Sequence, residues 1–186
     1  MQKRLIKKIS QYIDAGFPIL YINSFEDDKI DSMIEELGMG KEILEWNGAK
    51  GLVDFKTKNP QLTISNSLAT VLDLFLSKDE IERKIMVLKD IHSCISEPEV
   101  IAKLKIIVNL INQGTDATII IISSVLVIPP ELEKYITILE MDYLSVEEIK
   151  ALVRTFMEEN QLPMIKDELL NEFAVSFKGL SEFEIC

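Results

Sequence analysis

The chain has 186 residues, of which 31 are Asp or Glu and 20 are Lys or Arg, giving a formal net charge of −11. That length holds one well-buried α/β core with a small appendage rather than two full domains. The acidic balance argues against general affinity for nucleic acid or anionic lipid, whose phosphates attract clustered Lys and Arg, and makes a protein with a basic surface the better-matched partner.

Cys94 and Cys186 stand far apart without redox or metal-ligand spacing, and no cleavable apolar leader follows Met1-Gln2-Lys3-Arg4. The longest apolar run, around Ile119 to Ile122, falls far short of the roughly 18 residues of a spanning helix. The expectation is a reduced, cytoplasmic protein with no membrane segment.

Over residues 3–15, Leu5, Ile6, Ile9 and Ile13 recur at helical spacing, Gly16 ends the helix, and Pro18 leads into an apolar strand, Ile19-Leu20-Tyr21-Ile22. Ser24 and Asp27 form an S-x-x-D start signal for a helix with the stripe Ile30, Met33, Ile34 and Leu37 and a stop at Gly38. Glu42-Ile43-Leu44-Glu45-Trp46 alternates as a second strand, with Ile43 and Glu45 on one face and Leu44 and Trp46 on the other. The stretch from there through Pro60 reads as loop.

Leu68, Val71, Leu72, Phe75 and Leu76 mark the next helix, and Ser77-Lys78-Asp79-Glu80 leads toward a third strand at 85–88. Ser96, Pro98 and Glu99 open a helix whose buried stripe is Leu104, Ile107, Val108 and Ile111 and whose end is Gly114. The β-branched run over 118–123 suits a parallel strand covered on both faces. A short helical turn after Pro129-Pro130 precedes a fifth strand at 136–139.

Strands alternating with helices in this way predict an α/β fold over residues 1–144, a three-layer parallel five-stranded sheet. From Ser145 the pattern is all helical. One helix carries Ile149, Leu152, Val153 and Phe156 and is broken by Pro163, and a second opens at Asp167 with Leu169, Leu170, Phe173 and Phe177. A third starts at Ser181, with Glu184 in the capping-box place, and stops at Cys186 after about one turn, too short to offset helix nucleation. Residues 145–186 therefore read as part of a helical domain of a longer protein.

An open α/β sheet binds its ligand in the loops after its strands. A phosphate-cradling loop after strand one would read G-x-x-x-x-G-K-[ST]. Here it reads Asn23-Ser24-Phe25-Glu26-Asp27-Asp28, without glycine, and its three successive carboxylates would repel a triphosphate while complementing the positive end of the helix dipole. Gly38-Met39-Gly40-Lys41 is a decoy: Glu35 and Glu42 occupy places that require Gly and Ser/Thr, and the segment leads from helix to strand, so it reads as a helix C-cap.

The third strand ends in Lys89-Asp90-Ile91-His92. An apolar strand followed by two acidic residues holds Mg²⁺ and polarises water in many ATPases, but a lysine cannot ligate Mg²⁺. His92 has no second histidine and no cysteine at ligand spacing, so it reads as hydrogen-bonded at a strand end, with Lys89 offsetting the charge of Asp90. Ser123-Ser124 closes the fourth strand, where hydroxyls satisfy loop backbone or sense a phosphate, and Trp46 reads as packing. The candidate binding residues are thus Asp90, Ser123 and Ser124, with no catalytic residue and no metal ligand.

In order and spacing these strand ends resemble an AAA+ ATPase core that has lost its catalytic residues. Lys89-Asp90-Ile91-His92 stands against the family's D-E-x-D, and Ser123-Ser124 against its T-N at sensor 1. Ile128-Pro129-Pro130-Glu131-Leu132-Glu133 is similar to its L-D-P-A-L turn, but no arginine-finger segment follows. Ala174 with Lys178-Gly179-Leu180-Ser181-Glu182-Phe183 resembles the lid motif that leads into the sensor-2 helix.

More narrowly, Tyr21-Ile22-Asn23-Ser24-Phe25-Glu26, Val87-Leu88-Lys89-Asp90-Ile91-His92 and Val127 to Lys134 together resemble the first module of a bacterial and plastid-encoded AAA+ family, in which a degenerate N-terminal module precedes an intact one. The resemblance implies a sheet of order 5-1-4-3-2, a helical lid, and ATP and Mg²⁺ used by the following module rather than by this one. It favours a noncatalytic module giving an assembly or partner-binding surface through protein contacts or self-association.

Two other readings remain at this point. One is a receiver-like phosphoacceptor, with acids after strand one, Asp90 after strand three and Ser123 or Ser124 after strand four; it also needs a lysine after strand five, where Glu140-Met141-Asp142 stands. The other is a Mg²⁺-dependent nuclease using Glu26, Asp27 and Asp90, which lacks a basic groove for its substrate.

Overall fold

In the computed structural model, which describes residues 2–38, 40–61, 67–140 and 143–185, the chain divides into two units, Gln2–Met141 and Asp142–Cys186. The first unit runs α1 (Gln2–Asp14), β1 (Ile19–Asn23), α2 (Asp27–Leu37), β2 (Glu42–Asn47), β3 (Gly51–Asp54), α3 (Leu68–Asp73), α4 (Lys78–Ile81), β4 (Lys84–Lys89), α5 (Pro98–Asn112), β5 (Ala117–Ser123) and β6 (Ile136–Glu140). Short 3₁₀ turns lie at Ile91–Ser93 and Glu133–Tyr135. Met39 of the glycine decoy, and Met141 and Asp142 after the last strand, fall outside the described residues.

The sheet order is β3-β2-β4-β5-β1-β6. β2, β4, β5, β1 and β6 are mutually parallel, so the five expected strands lie in the order 5-1-4-3-2 that the resemblance implies. The sixth strand is a correction: β3 pairs antiparallel with β2 where the sequence reads as loop. The turn is made by Asn47, whose Oδ1 accepts from the N–H groups of Ala49 and Lys50 at 3.2 and 2.9 Å, and by Gly51 at φ +72°. This hairpin takes Leu52 and Val53 out of water.

Alternation along the strands builds two cores. Tyr21, Leu44, Trp46, Leu88, Ile119 and Ile121 face a layer with α3 and α5, while Leu20, Ile22, Val87, Ile120 and Ile122 face a layer with α1 and α2. All seven residues of β5 are buried, which is why its sequence is a continuous apolar run rather than an alternating one. At about 1.5–3 kcal/mol for each fully buried isoleucine, this central strand is a principal source of stability.

Two local expectations shift. Helix α2 begins at Asp27 with Glu26 as its N-cap, because the hydroxyl of Ser24 accepts from the N–H of Glu26 at 3.0 Å and forms a turn before the helix instead of capping it. Gly38 ends α2 at φ −76°, so its value lies in space rather than in left-handed backbone: a Cβ there would stand 2.2 Å from Cδ1 of Ile43.

The second unit contains α6 (Val146–Glu159), α7 (Asp167–Ser176) and α8 (Glu182–Ile185). Ser145 and Glu148 form the reciprocal capping box expected at the start of α6. Helices α6 and α7 pack together, tied by Arg154 to Asp167 at 2.8 Å, and Ser181 caps toward Glu184. Among the described residues no helix is long and apolar enough to cross a membrane.

Candidate functional site at the carboxyl edge of the sheet

Parallel strands deliver their following loops to one edge, so the ends of β1, β2, β4 and β5 converge there. After β1 the chain turns into α2 without a phosphate cradle. No residue from Asn23 to Asp28 has the positive φ of an anion-binding nest. Two of the loop's N–H groups are already committed, Ser24 to the carbonyl of Ser123 at 3.2 Å and Glu26 to the Ser24 hydroxyl. Asp27 and Asp28 sit in the first turn of α2, where they complement the helix dipole.

The next strand end departs from the expected pairing. The ammonium of Lys89 reaches Asp31 Oδ2 on α2 at 2.8 Å and Glu45 Oε2 on β2 at 3.5 Å, with Asp27 Oδ2 at 3.9 Å. Its countercharges are therefore these acids, and the offset of Asp90 expected from sequence is replaced by a network. Lys58, which the sequence reading overlooked, enters from beyond the β3 hairpin and bonds the same two carboxylate oxygens, Asp31 at 2.9 Å and Glu45 at 2.5 Å.

The Lys89 side chain is 11% exposed and that of Glu45 4%, so each needs the opposite charges around it, Asp31 and Glu45 for Lys89, and Lys58 and Lys89 for Glu45. Burial pulls the Lys58 ammonium down, but its hydrogen bonds to Glu45 and Asp31 outweigh that and hold its pKa above the ordinary lysine value. The Lys58 ammonium also stands 4.0 Å over the Phe55 ring. Both lysines bond one oxygen of Asp31, leaving its buried Oδ1 without a hydrogen-bond partner among the described residues. For Asp27, burial raises the carboxyl pKa; Lys89 opposes this, and Asp90, Asp31 and Glu45 add to it. Asp27, Glu45, Asn47, Lys89 and Asp90 line an open cleft of about 440 Å³.

Of the candidate binding residues, Asp90 is exposed and takes a left-handed conformation at φ 52°, turning the chain sharply out of β4. His92 does stand hydrogen-bonded at the strand end, Nδ1 lying 3.2 Å from Ser123 Oγ, and that hydroxyl also accepts from the N–H of Val125. Ser123 is thus occupied by its own loop, while the carbonyl of Ser124 accepts from Asn23 at 3.5 Å. Beneath them the buried Tyr21 donates its hydroxyl to the carbonyl of Val125 at 2.7 Å and accepts from the N–H of Val127 at 3.4 Å, fixing the β5 loop to β1.

Residues 5–141 match the family model described as the SpoVK-like AAA ATPase, N-terminal domain. The chain belongs to this family. Two curated relatives carry the description uncharacterized AAA domain-containing protein ycf46. The protein from Guillardia theta is 29% identical over 182 residues, covering 95% of this chain and 35% of its own length. That from Pyropia yezoensis is 26% identical, covering 91% and 34%. The chain therefore spans about a third of the length of these relatives.

Among solved structures, PCH-2 of C. elegans superposes with a TM-score of 0.60 at 12% identity, over 99% of this chain and 59% of that one. The Thermotoga maritima RuvB Holliday junction branch migration motor gives 0.56 at 16% identity, over 94% and 56%. These likenesses show the AAA+-type fold of this chain.

Proposed function

We propose that this chain is a noncatalytic, degenerate AAA+ module that gives a partner-binding or assembly surface within a longer ATPase, in which ATP and Mg²⁺ serve a following module. The observation that carries this reading is the place of Lys89. It stands where the family's strand presents a carboxylate to Mg²⁺, and its ammonium is buried against Asp31 and Glu45. A cation held there repels Mg²⁺, and swinging it toward a phosphate would leave Asp31 and Glu45 to share Lys58 alone. The loop after β1 adds acids and no cradle.

The partner is a protein rather than nucleic acid on the strength of the −11 charge, and the module works in the cytoplasm. The receiver reading loses its footing in the sheet: β1 lies between β5 and β6, whereas receiver-type sheets follow the order 2-1-3-4-5. The nuclease reading has two of its three acids engaged elsewhere, Glu26 with Lys29 at 3.4 Å and Asp27 toward Lys89 at 3.9 Å. Calorimetric titration of MgATP into the chain tests the proposal. No measurable heat of binding is expected; micromolar binding that disappears in Asp90→Ala would reverse it.

A further inference from the structure

The same edge that closes its charges around Lys89 leaves apolar side chains in water one strand over. Phe25, in the loop after β1, is 83% exposed, and Val125 and Leu126, in the loop after β5, are 48% and 46% exposed. Register places these loops side by side. Asn23 pairs with Ser123 at the ends of β1 and β5, Ser24 donates to the Ser123 carbonyl, and Asn23 Nδ2 donates to the carbonyl of Ser124.

The β5 loop is anchored rather than loose, since Val125 and Val127 are both tied to the Tyr21 hydroxyl and Val125 also to Ser123. Exposed apolar side chains held on an anchored loop offer a partner contact area at little ordering cost. The same strand ends carry Asp28, three residues on from Phe25, and Asp90, whose N–H donates to the Ile122 carbonyl of β5, both exposed and neither in an ion pair among the described residues, and the half-exposed Asp27. The nearby lysines do not offset this field, because Lys29 is paired with Glu26 and Lys89 with Asp31 and Glu45.

We infer that the patch formed by Phe25, Val125 and Leu126 docks a basic amphipathic segment of a protein partner, whose apolar residues cover the patch while its Lys or Arg side chains meet Asp28 and Asp90. The inference rests on the noncatalytic reading, because a nucleotide in this crevice would compete for the same space. Charge selects the occupant. A second copy of this chain would bring its own −11 to an acidic edge, and nucleic acid or anionic lipid would be repelled by the same acids. Among occupants of suitable shape, a cationic protein segment with an apolar side gains on both counts.

Fluorescence anisotropy with a labelled peptide of about 15 residues, Lys and Leu at helical spacing, provides the test. Saturable binding is expected, weakened more than about tenfold by Phe25→Ser, as for an aromatic anchor. Asp28→Asn with Asp90→Asn should weaken binding far more than Asp79→Asn with Glu80→Gln, which removes the same charge from α4 at the opposite edge. Unchanged melting of each variant shows that folding is not the cause.

No binding, or binding indifferent to Phe25→Ser and equally sensitive to both charge pairs, would overturn the inference as mere attraction to an acidic protein. Phe25-dependent self-association, or Phe25-dependent binding of a single-stranded oligonucleotide or of anionic phosphatidylserine vesicles in place of the peptide, would overturn it too. A parallel MgATP titration separates the two proposals: peptide failure with no nucleotide binding removes only the docking surface, whereas nucleotide binding removes the noncatalytic reading itself.

Discussion

At the end of β4, Lys89 lies buried among Asp31, Glu45 and the incoming Lys58, whereas the adjoining ends of β5 and β1 carry neutral hydrogen bonds and exposed Phe25, Val125 and Leu126. Both regions occupy the edge where α/β sheets bind ligands. The first turns its charges inward, so its polar residues hold α2, β2 and β4 together. The second turns its polar groups to its own backbone and its apolar groups to solvent. Polarity at a strand end is therefore a poor guide to availability: Lys89, Glu45 and Asp31 are structural, whereas the apolar Phe25, Val125 and Leu126 stand in water.

The largest effect should come from the charged half. Lys89→Met leaves Glu45 and Asp31 to share Lys58 alone, and urea unfolding should report a loss of about 3 kcal/mol, at the lower end for breaking a buried ion pair because Lys58 remains. A loss below about 1 kcal/mol would mean that the network closes without Lys89 and that the contrast between the halves is weak.

In the neutral half, Tyr21→Phe removes the donor to the Val125 carbonyl and should cost about 1–2 kcal/mol by the same assay. It should also weaken peptide binding by freeing the β5 loop; full retention of affinity would show that the anchoring of the loop is immaterial to the patch.

The smallest effect is pH-dependent. The Asp27 carboxyl is held above its ordinary pKa in the folded chain, so its contribution to stability is present in acid and is lost as pH rises through the folded value. Asp27→Asn should therefore stabilise slightly at pH 7, by roughly a few tenths of a kcal/mol for this half-exposed group, and the gain should shrink toward pH 4. Melting temperatures across that range check it, and a gain that grows in acid would reverse the sign.

Much of the scaffold is legible in the sequence because its signals are local. The β-branched run of β5, the helical stripes and the Ser145–Glu148 capping box each declare themselves within one element. The 5-1-4-3-2 order is not local and entered through family resemblance. Strand β3 escapes because Gly51–Asp54 has only two apolar residues, although Asn47-Gly48 after an alternating strand is a hairpin signal that marks it.

The ion network escapes for a different reason. Asp31, Glu45, Lys58 and Lys89 lie on four separate segments, and no spacing joins them. The one available sign is energetic: Glu45 alternates onto a buried face, and a buried carboxylate demands a cation from somewhere in the chain. The exposure of Phe25 likewise has no sequence signal: its place in the loop after strand one is legible, but whether that loop packs the ring or leaves it in water is not.

The central claim is that the crevice above Asn23 to Asp28 and Lys89 to Asp90 does not receive a nucleotide. Backbone amide chemical shifts of ¹⁵N-labelled chain, followed through a titration with MgATP, test it residue by residue. These amides are expected to stay in place; saturable shifts confined to them would contradict the claim.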